Sequence, residues 1–276
     1  MKNYHKLASK IKLDDKSISI RKNIIKTLES GKRAHLGSAL SIVEVIRVLY
    51  DDYLNVTPKN FTKLKRDRFI LSKGHGCLAL YTILASKNFF SKEYLLKFCH
   101  LDSILGGHPE YKRIPGIEAS TGALGHGLSI GIGMAYASKI MNLKNKVVVL
   151  LGDGEINEGS IWEGAMSASK HNLSNLTVLI DYNKIQSYDF VKNVLDLEPL
   201  KNKWESFGFQ THEINGHNTK EIKKFLFKET VKKPKLIICH TVKGKGLTFA
   251  ENNPNWHHKS NVTEKDIKLM YEGLKK

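Results

Sequence analysis

Cysteine is scarce in this 276-residue chain, and Cys77, Cys99 and Cys239 form no Cys-x-x-Cys pair. An odd count at such spacings argues against a disulfide framework and suits a reducing cytoplasm, where these residues read as core or incidental thiols. No apolar run approaches the roughly 20 residues that cross a bilayer. The opening stretch, Met1 to Asp15, is studded with lysine and has no apolar centre, so neither membrane insertion nor export is expected. Low-complexity linkers and internal repeats are lacking too, and one domain over residues 1–276 is the expectation. Acidic residues are in short supply, 27 Asp and Glu against 44 Lys and Arg, for a formal charge of +17. Such an excess raises nucleic acid as a partner. The lysines, however, are spread from Lys2 to Lys276, with no arginine-rich run and interleaved aromatics. A solvated basic surface is the favoured reading, attraction for anionic sugar phosphates or an acidic partner subunit is the alternative, and no nucleic-acid partner is expected.

What is present alternates between two periods. Ser17–Ser30, Ile42–Tyr53, Cys77–Ser86, Gly159–His171 and Thr219–Thr230 space their apolar residues as helices do. Arg68–Ser72, Lys146–Leu151 (KVVVLL), Leu176–Asp181 (LTVLID), Phe209–Ile214 and Lys235–His240 (KLIICH) read as strands, several of them apolar throughout, as strands buried on both faces are. Strand and helix in repeated order imply an α/β fold: an open, mainly parallel sheet with helices on both faces. Ligands of such sheets sit beyond the carboxyl ends of the strands, so the residues that follow each apolar run carry the most information.

After KVVVLL come Gly152, Asp153 and Gly154, and just past LTVLID comes Asn183. A β-α-β unit of this length makes the two strands neighbours and brings Asp153 and Asn183 together. Magnesium takes oxygen ligands and completes its shell with phosphates and water, and a backbone carbonyl of the turn after Asn183 could be a third ligand. The flanking glycines let backbone N–H groups approach an anion, to which the helix after Gly159 could add its positive end.

Gly152-Asp153-Gly154 with Asn183 resembles the diphosphate-binding motif of thiamine-diphosphate enzymes. The surrounding blocks resemble transketolase: AHLGS (34–38), SKGHG (72–76), GGHPE (106–110), STGALGHG (120–127), LLGDGEINEGSIWE (150–163) and NNPNWHHK (252–259). DLEPLKNKW (196–204) and GKG (244–246) resemble the stand-alone N-terminal subunits of two-chain transketolases. The resemblance implies thiamine diphosphate and Mg2+ as cofactors, with Asp153, Asn183 and the Ile185 carbonyl as metal ligands. It implies further that Gly154 meets the diphosphate, that Gly122, Ala123 and Leu124 belong to the loop touching the aminopyrimidine, and that Glu158 stands at a cofactor-centred dimer interface. His35, His75, His108 and His257 are implied to line the site, His75 nearest the diphosphate and His108 nearest the donor's hydroxyls. His258 stands where the family often has glycine, so either it or His257 is the fourth site histidine.

Imidazole suits such a role, since its ordinary pKa near 6.5 lets it move protons both ways at neutral pH. His5, His171, His212 and His217 match nothing in the family and read as core or surface residues. Ser187 replaces an apolar residue expected against the thiazolium ring, Tyr188-Asp189 replaces an Asp-Gly turn, and Ala123 replaces a common proline. The resemblance implies transfer of a two-carbon ketol unit from a ketose to an aldose, the substrates being sugars or sugar phosphates. It places the pyrimidine-binding domain, with its activating glutamate and the sugar-phosphate arginines, on a separate C-terminal chain, in an α2β2 heterotetramer. Two rivals remain: Gly74-His75-Gly76-Cys77-Leu78-Ala79 is formally a dinucleotide fingerprint with Glu93 downstream, and the chain could be a catalytically inactive pseudo-subunit that regulates a partner.

Overall fold

The computed structural model describes residues 3–187, 189–230 and 232–274. Five strands, β1 (Arg68–Leu71), β2 (Val147–Gly152), β3 (Leu176–Tyr182), β4 (Gln210–Asn215) and β5 (Lys235–His240), form one sheet in the order β1-β2-β3-β5-β4. All neighbours pair in parallel. Every residue of β2, β3 and β5 is buried. That is why these segments read as unbroken apolar runs: helices cover both faces of the sheet, so both sets of alternating side chains need apolar company.

Alternation divides the core in two. Phe69, Leu71, Val148, Leu150, Leu179 and Ile237 face one side and pack with the helices Asp15–Gly31, Val43–Val48 and Cys77–Ser86. Ile70, Val147, Val149, Leu151, Val178 and Ile238 face the other and pack with the helices His126–Ile140, Gly159–Lys170 and Leu200–Ser206. The Asp15–Gly31 helix is capped by Asp14, whose carboxylate accepts from Ser17 N–H, the bond an N-cap supplies to an otherwise unpaired amide.

The expected elements are all present, with ends shifted by a few residues. Two details differ. Ile42–Tyr53 is not one α-helix: Val43–Val48 continues into a π-helical turn at Leu49–Tyr53, closed by Leu54 N–H on the Leu49 carbonyl. The helix His126–Ile140 is not evident from the sequence, because glycines at 127, 131 and 133 lower helix propensity. Packing explains the middle one: a Cβ on Gly131 would collide with a Val149 methyl, so glycine there lets the helix backbone sit directly on β2.

Candidate active site

Parallel pairing sets Gly152 of β2 level with Asp181 of β3, and Asp181 level with Cys239 of β5. The residues after β1, β2, β3 and β5 therefore converge at one edge of the sheet. Around a small cavity of about 70 Å³ stand His75, Leu124, Gly152, Asp153, Gly154, Asn183, Ile185 and His257 from the expected set, joined by Ser38, Lys73, Glu155, Gln186, Ser187 and Lys243.

Asp153 and Asn183 meet as the β-α-β unit requires. One Asp153 oxygen accepts from Gly154 N–H at 2.8 Å, the other from Lys184 N–H at 2.7 Å. Asn183 donates its amide to Asp181 at 2.9 Å, which turns its oxygen toward Ile185 N–H at 3.1 Å. The donor set is one carboxylate, one amide oxygen and one main-chain carbonyl, all hard oxygens, and this suits magnesium completed by water and phosphate. The Ile185 carbonyl accepts from the ammonium of Lys243 at 2.6 Å, so a cation already rests on that oxygen.

Two buried lysines face two buried carboxylates here. Lys73 is paired with Asp181 at 2.5 Å, and Asp181 also accepts from Ser41 and Thr241. Burial pushes the Asp153 carboxyl up and the Lys243 ammonium down, each partly countered by the other's charge. Sequence reasoning misses Lys73 and Lys243, although each lies within three residues of the end of a strand, β1 and β5, the place where ligand-binding residues are to be sought.

One electrostatic expectation fails. Gly152 N–H is not free for an anion: the buried Glu155 carboxylate accepts from it at 3.0 Å, and from Gly125 N–H at 3.1 Å. The helix with the expected positive end begins at Gly159, as read from the sequence, after a 3-10 turn over Gly154–Asn157. Gly154 has a steric duty as well, since a Cβ there would lie 2.8 Å from Cβ of Gln186.

The histidines gather around His35. Its ring centroid lies 5.2 Å from His75, 6.1 Å from His108, 5.4 Å from His257 and 4.4 Å from His258. The structure thus brings both His257 and the exposed His258 to the cluster, with His257 at the cavity. An antiparallel bridge between Ala34 and Lys259 ties the two segments together. Gly122, at φ +140°, packs against His108, where a Cβ would lie 2.9 Å from the ring. Ala123 and Glu158 are exposed, and Glu158 lies beside Gly125 at the start of the Gly159–Lys170 helix rather than in the cavity. Ser187 lines the cavity, whereas Tyr188 lies outside the described residues.

Burial holds these imidazoles neutral. It lowers His35 to about 3 with help from His258 and His108, lowers His257 to about 2 with help from Lys243, and lowers His75 and His108. Because the folded values lie below the ordinary 6.5, the unfolded chain takes up protons first as the pH falls. The stability these groups contribute is complete above pH 6.5 and is lost as the pH drops toward their folded values. The ligand-free chain should lose about 1 kcal/mol per strongly shifted histidine for each pH unit below that point. A His35→Asn variant should lose less over the same range. Melting temperatures from about pH 7.5 down to about pH 5 measure this, and parallel curves for the two proteins would refute it.

Close packing accounts for the glycines of the fingerprint at Gly74–Ala79. A Cβ on Gly74 would lie 2.8 Å from Gly122 N, and one on Gly76 would lie 2.7 Å from a methyl of Ile42. A wider groove of about 730 Å³, lined in part by Leu64, Tyr111, Ile114 and Met141, includes Arg68 at the start of β1 and lies away from these polar groups. Among the described residues no helix is long and apolar enough to cross a membrane.

Residues 14–274 match the family model described as the thiamine diphosphate binding domain of transketolase. The chain is 40% identical over 267 residues to an apulose-4-phosphate transketolase subunit of Actinobacillus succinogenes, covering 95% of this chain and 96% of that one. It is likewise 40% identical over 261 residues to the 6-deoxy-6-sulfo-D-fructose transketolase subunit SqwG of a Clostridium species, covering 92% and 94%. The solved transketolase of Campylobacter jejuni superposes with a TM-score of 0.83 at 31% identity, over 95% of this chain and 43% of that one. The chain therefore spans less than half the length of that transketolase chain.

Proposed function

The chain belongs to the transketolase family, and from that membership we propose that it is the cofactor-anchoring subunit of a two-chain transketolase, transferring a two-carbon ketol unit from a ketose to an aldose. The observation that carries the proposal is the convergence of Asp153, Asn183 and the Ile185 carbonyl beside two buried lysines, under a cluster of neutral histidines. Thiamine diphosphate, when bound, supplies the electron sink for cleaving the ketose carbon–carbon bond, chemistry that side chains do not offer.

The chain's own residues supply charge, position and proton transfer. Asp153, Asn183 and Ile185 are assigned to magnesium, and Lys243 and Lys73 add fixed positive charge for the diphosphate. The backbone at Gly154 and the ring of His75 border the diphosphate, and Gly122, Ala123 and Leu124 border the aminopyrimidine. A neutral imidazole has one nitrogen that donates and one that accepts, so His35, His108 and His257 can each hold a sugar hydroxyl by a hydrogen bond, and His108 is assigned the proton transfer. Glu158, exposed beside Gly125, is assigned to an interface with a second copy. The partner is a C-terminal chain with the pyrimidine-binding domain, the assembly α2β2, and the compartment the cytoplasm. The two relatives are named for a sugar phosphate and a sulfo-sugar, which with the charge of +17 supports an anionic ketose as substrate.

A panel of ketose donors offered to the chain co-purified with its partner, with two-carbon transfer to an aldose as readout, tests the assignment. Within it, His108→Ala should lower kcat/KM by about 10²-fold, the low end for general acid–base catalysis, with cofactor affinity nearly unchanged. A variant that loses cofactor in step with activity would make His108 a packing residue.

A further inference from the structure

Away from the cavity, three ionisable side chains are buried together. Arg21 on the Asp15–Gly31 helix, Glu44 on the Val43–Val48 helix and His217 after β4 are 0%, 1% and 0% exposed. Glu44 accepts from the Arg21 guanidinium at 2.6 and 3.0 Å and meets His217 Nδ1 at 2.7 Å. An ionised carboxylate only accepts, so Nδ1 is the protonated nitrogen, which leaves Nε2 to accept from Val242 N–H at 2.9 Å. Arg21 Nε donates to the Lys245 carbonyl at 2.8 Å, and its Nη2 donates to the Leu40 carbonyl at 2.9 Å.

Burying such groups is costly unless every polar atom is matched, and here the matches share a target. Val242 and Lys245 bracket Lys243, whose ammonium reaches the Ile185 carbonyl. On the same loop Gly244 N–H donates to the Gly37 carbonyl at 3.1 Å. Gly37 allows the close approach, since a Cβ there would lie 3.0 Å from Lys243 Cγ.

We propose that His217, with Glu44 and Arg21 behind it, is a positioning residue that fixes the 242–245 loop and thereby sets where the Lys243 ammonium stands in the cofactor-diphosphate pocket. This rests on reading Lys243 as a counter-charge to the diphosphate. His217 itself touches neither cofactor nor substrate; it acts through the Val242 amide. The same network holds the Leu36–Leu40 helix through Leu40, so the segment that follows His35 and the loop that carries Lys243 share one support.

The test is titration of thiamine diphosphate, with magnesium present, into the chain assembled with its partner, at a temperature well below melting. His217→Phe should weaken binding about 10- to 100-fold, the usual range for groups that hold a ligand from behind. His217→Gln, whose amide can both accept from Val242 and donate to Glu44, should recover most of the affinity. Lys243→Met should weaken binding, and adding His217→Phe to it should cost little more, because the histidine acts through the lysine. If His217→Phe does not fold, His217→Asn, too short to span Glu44 and Val242, replaces it with the same expectation. Multiplicative losses in the double variant, or a lower melting temperature with unchanged affinity in the His217 variants, would overturn the proposal while the Lys243 reading stands. Wild-type affinity in Lys243→Met would overturn that reading and this proposal with it.

Discussion

Asp153→Asn is expected to abolish cofactor retention while lowering the melting temperature of the ligand-free chain only modestly. The two effects come from one cause. Burial pushes the Asp153 carboxyl up to about 6, Lys243 pulls it back and Asp181 pushes it further, so its charge is a net cost to the empty fold. Asparagine keeps the shape and removes that cost, but it has one acceptor oxygen where the carboxylate accepts from both Gly154 N–H and Lys184 N–H, so one of those amides is left facing an NH2 group. What it removes as well is the single anionic oxygen donor of the assigned magnesium set, whose other members are the Asn183 amide and the Ile185 carbonyl. Depriving a buried cation of its anionic partner costs roughly 3–5 kcal/mol. Since each 1.4 kcal/mol is tenfold, the affinity for thiamine diphosphate with magnesium should fall by about three orders of magnitude. Paired melting curves and cofactor titrations settle the matter. Normal cofactor binding by the variant would remove Asp153 from the metal site, and a large fall in melting temperature would make it a structural residue instead.

The second large effect concerns the partner. The chain purified free of any partner should show no ketol transfer, and adding the partner should bring activity up by at least about 10⁶-fold, the ordinary lower scale of enzymatic acceleration. The cavity contains the physical reason. Asp153 and Glu155 are the carboxylates on its lining among the described residues. Asp153 is assigned to the metal. Glu155 accepts from Ser72, Gly125 and Gly152, which leaves it fixed in the wall and unable to turn toward the cofactor's far ring. On the two-chain reading, the carboxylate that activates that ring comes from the partner. Steady turnover by the chain alone, in a preparation proven free of partner by mass spectrometry, would break the two-chain assignment.

Much of this is legible in the residues, for identifiable reasons. Asp153 and Asn183 can be paired from sequence because the runs KVVVLL and LTVLID declare adjacent buried strands, and parallel register then fixes where their ends meet. The fold class follows from the same runs. Lys73 and Lys243 are harder to see: in a chain carrying +17, one more lysine has little signal, and only burial distinguishes these two from their solvated neighbours. Glu155 is hidden similarly, since its value lies in three hydrogen bonds that no spacing announces. His217 matches nothing in the family and reads as a core or surface residue. Core it is, but its partners give the burial a purpose that sequence cannot show. The helix His126–Ile140 is masked because its glycines contradict local propensity while Gly131 answers to the strand beneath, a case of tertiary contact overriding intrinsic preference.

The bridge between Ala34 and Lys259 joins a segment near the beginning of the chain to one near its end. Closing so long a loop costs entropy that only late, cooperative contacts return. The imidazoles of His35 and His257 are therefore expected to become neighbours after the sheet between them has formed. An early compact species, however rich in secondary structure, would lack the histidine cluster. Recovery of cofactor affinity after dilution from denaturant should accordingly lag behind recovery of the helical circular-dichroism signal, which makes the ligand a clock for the last step of folding.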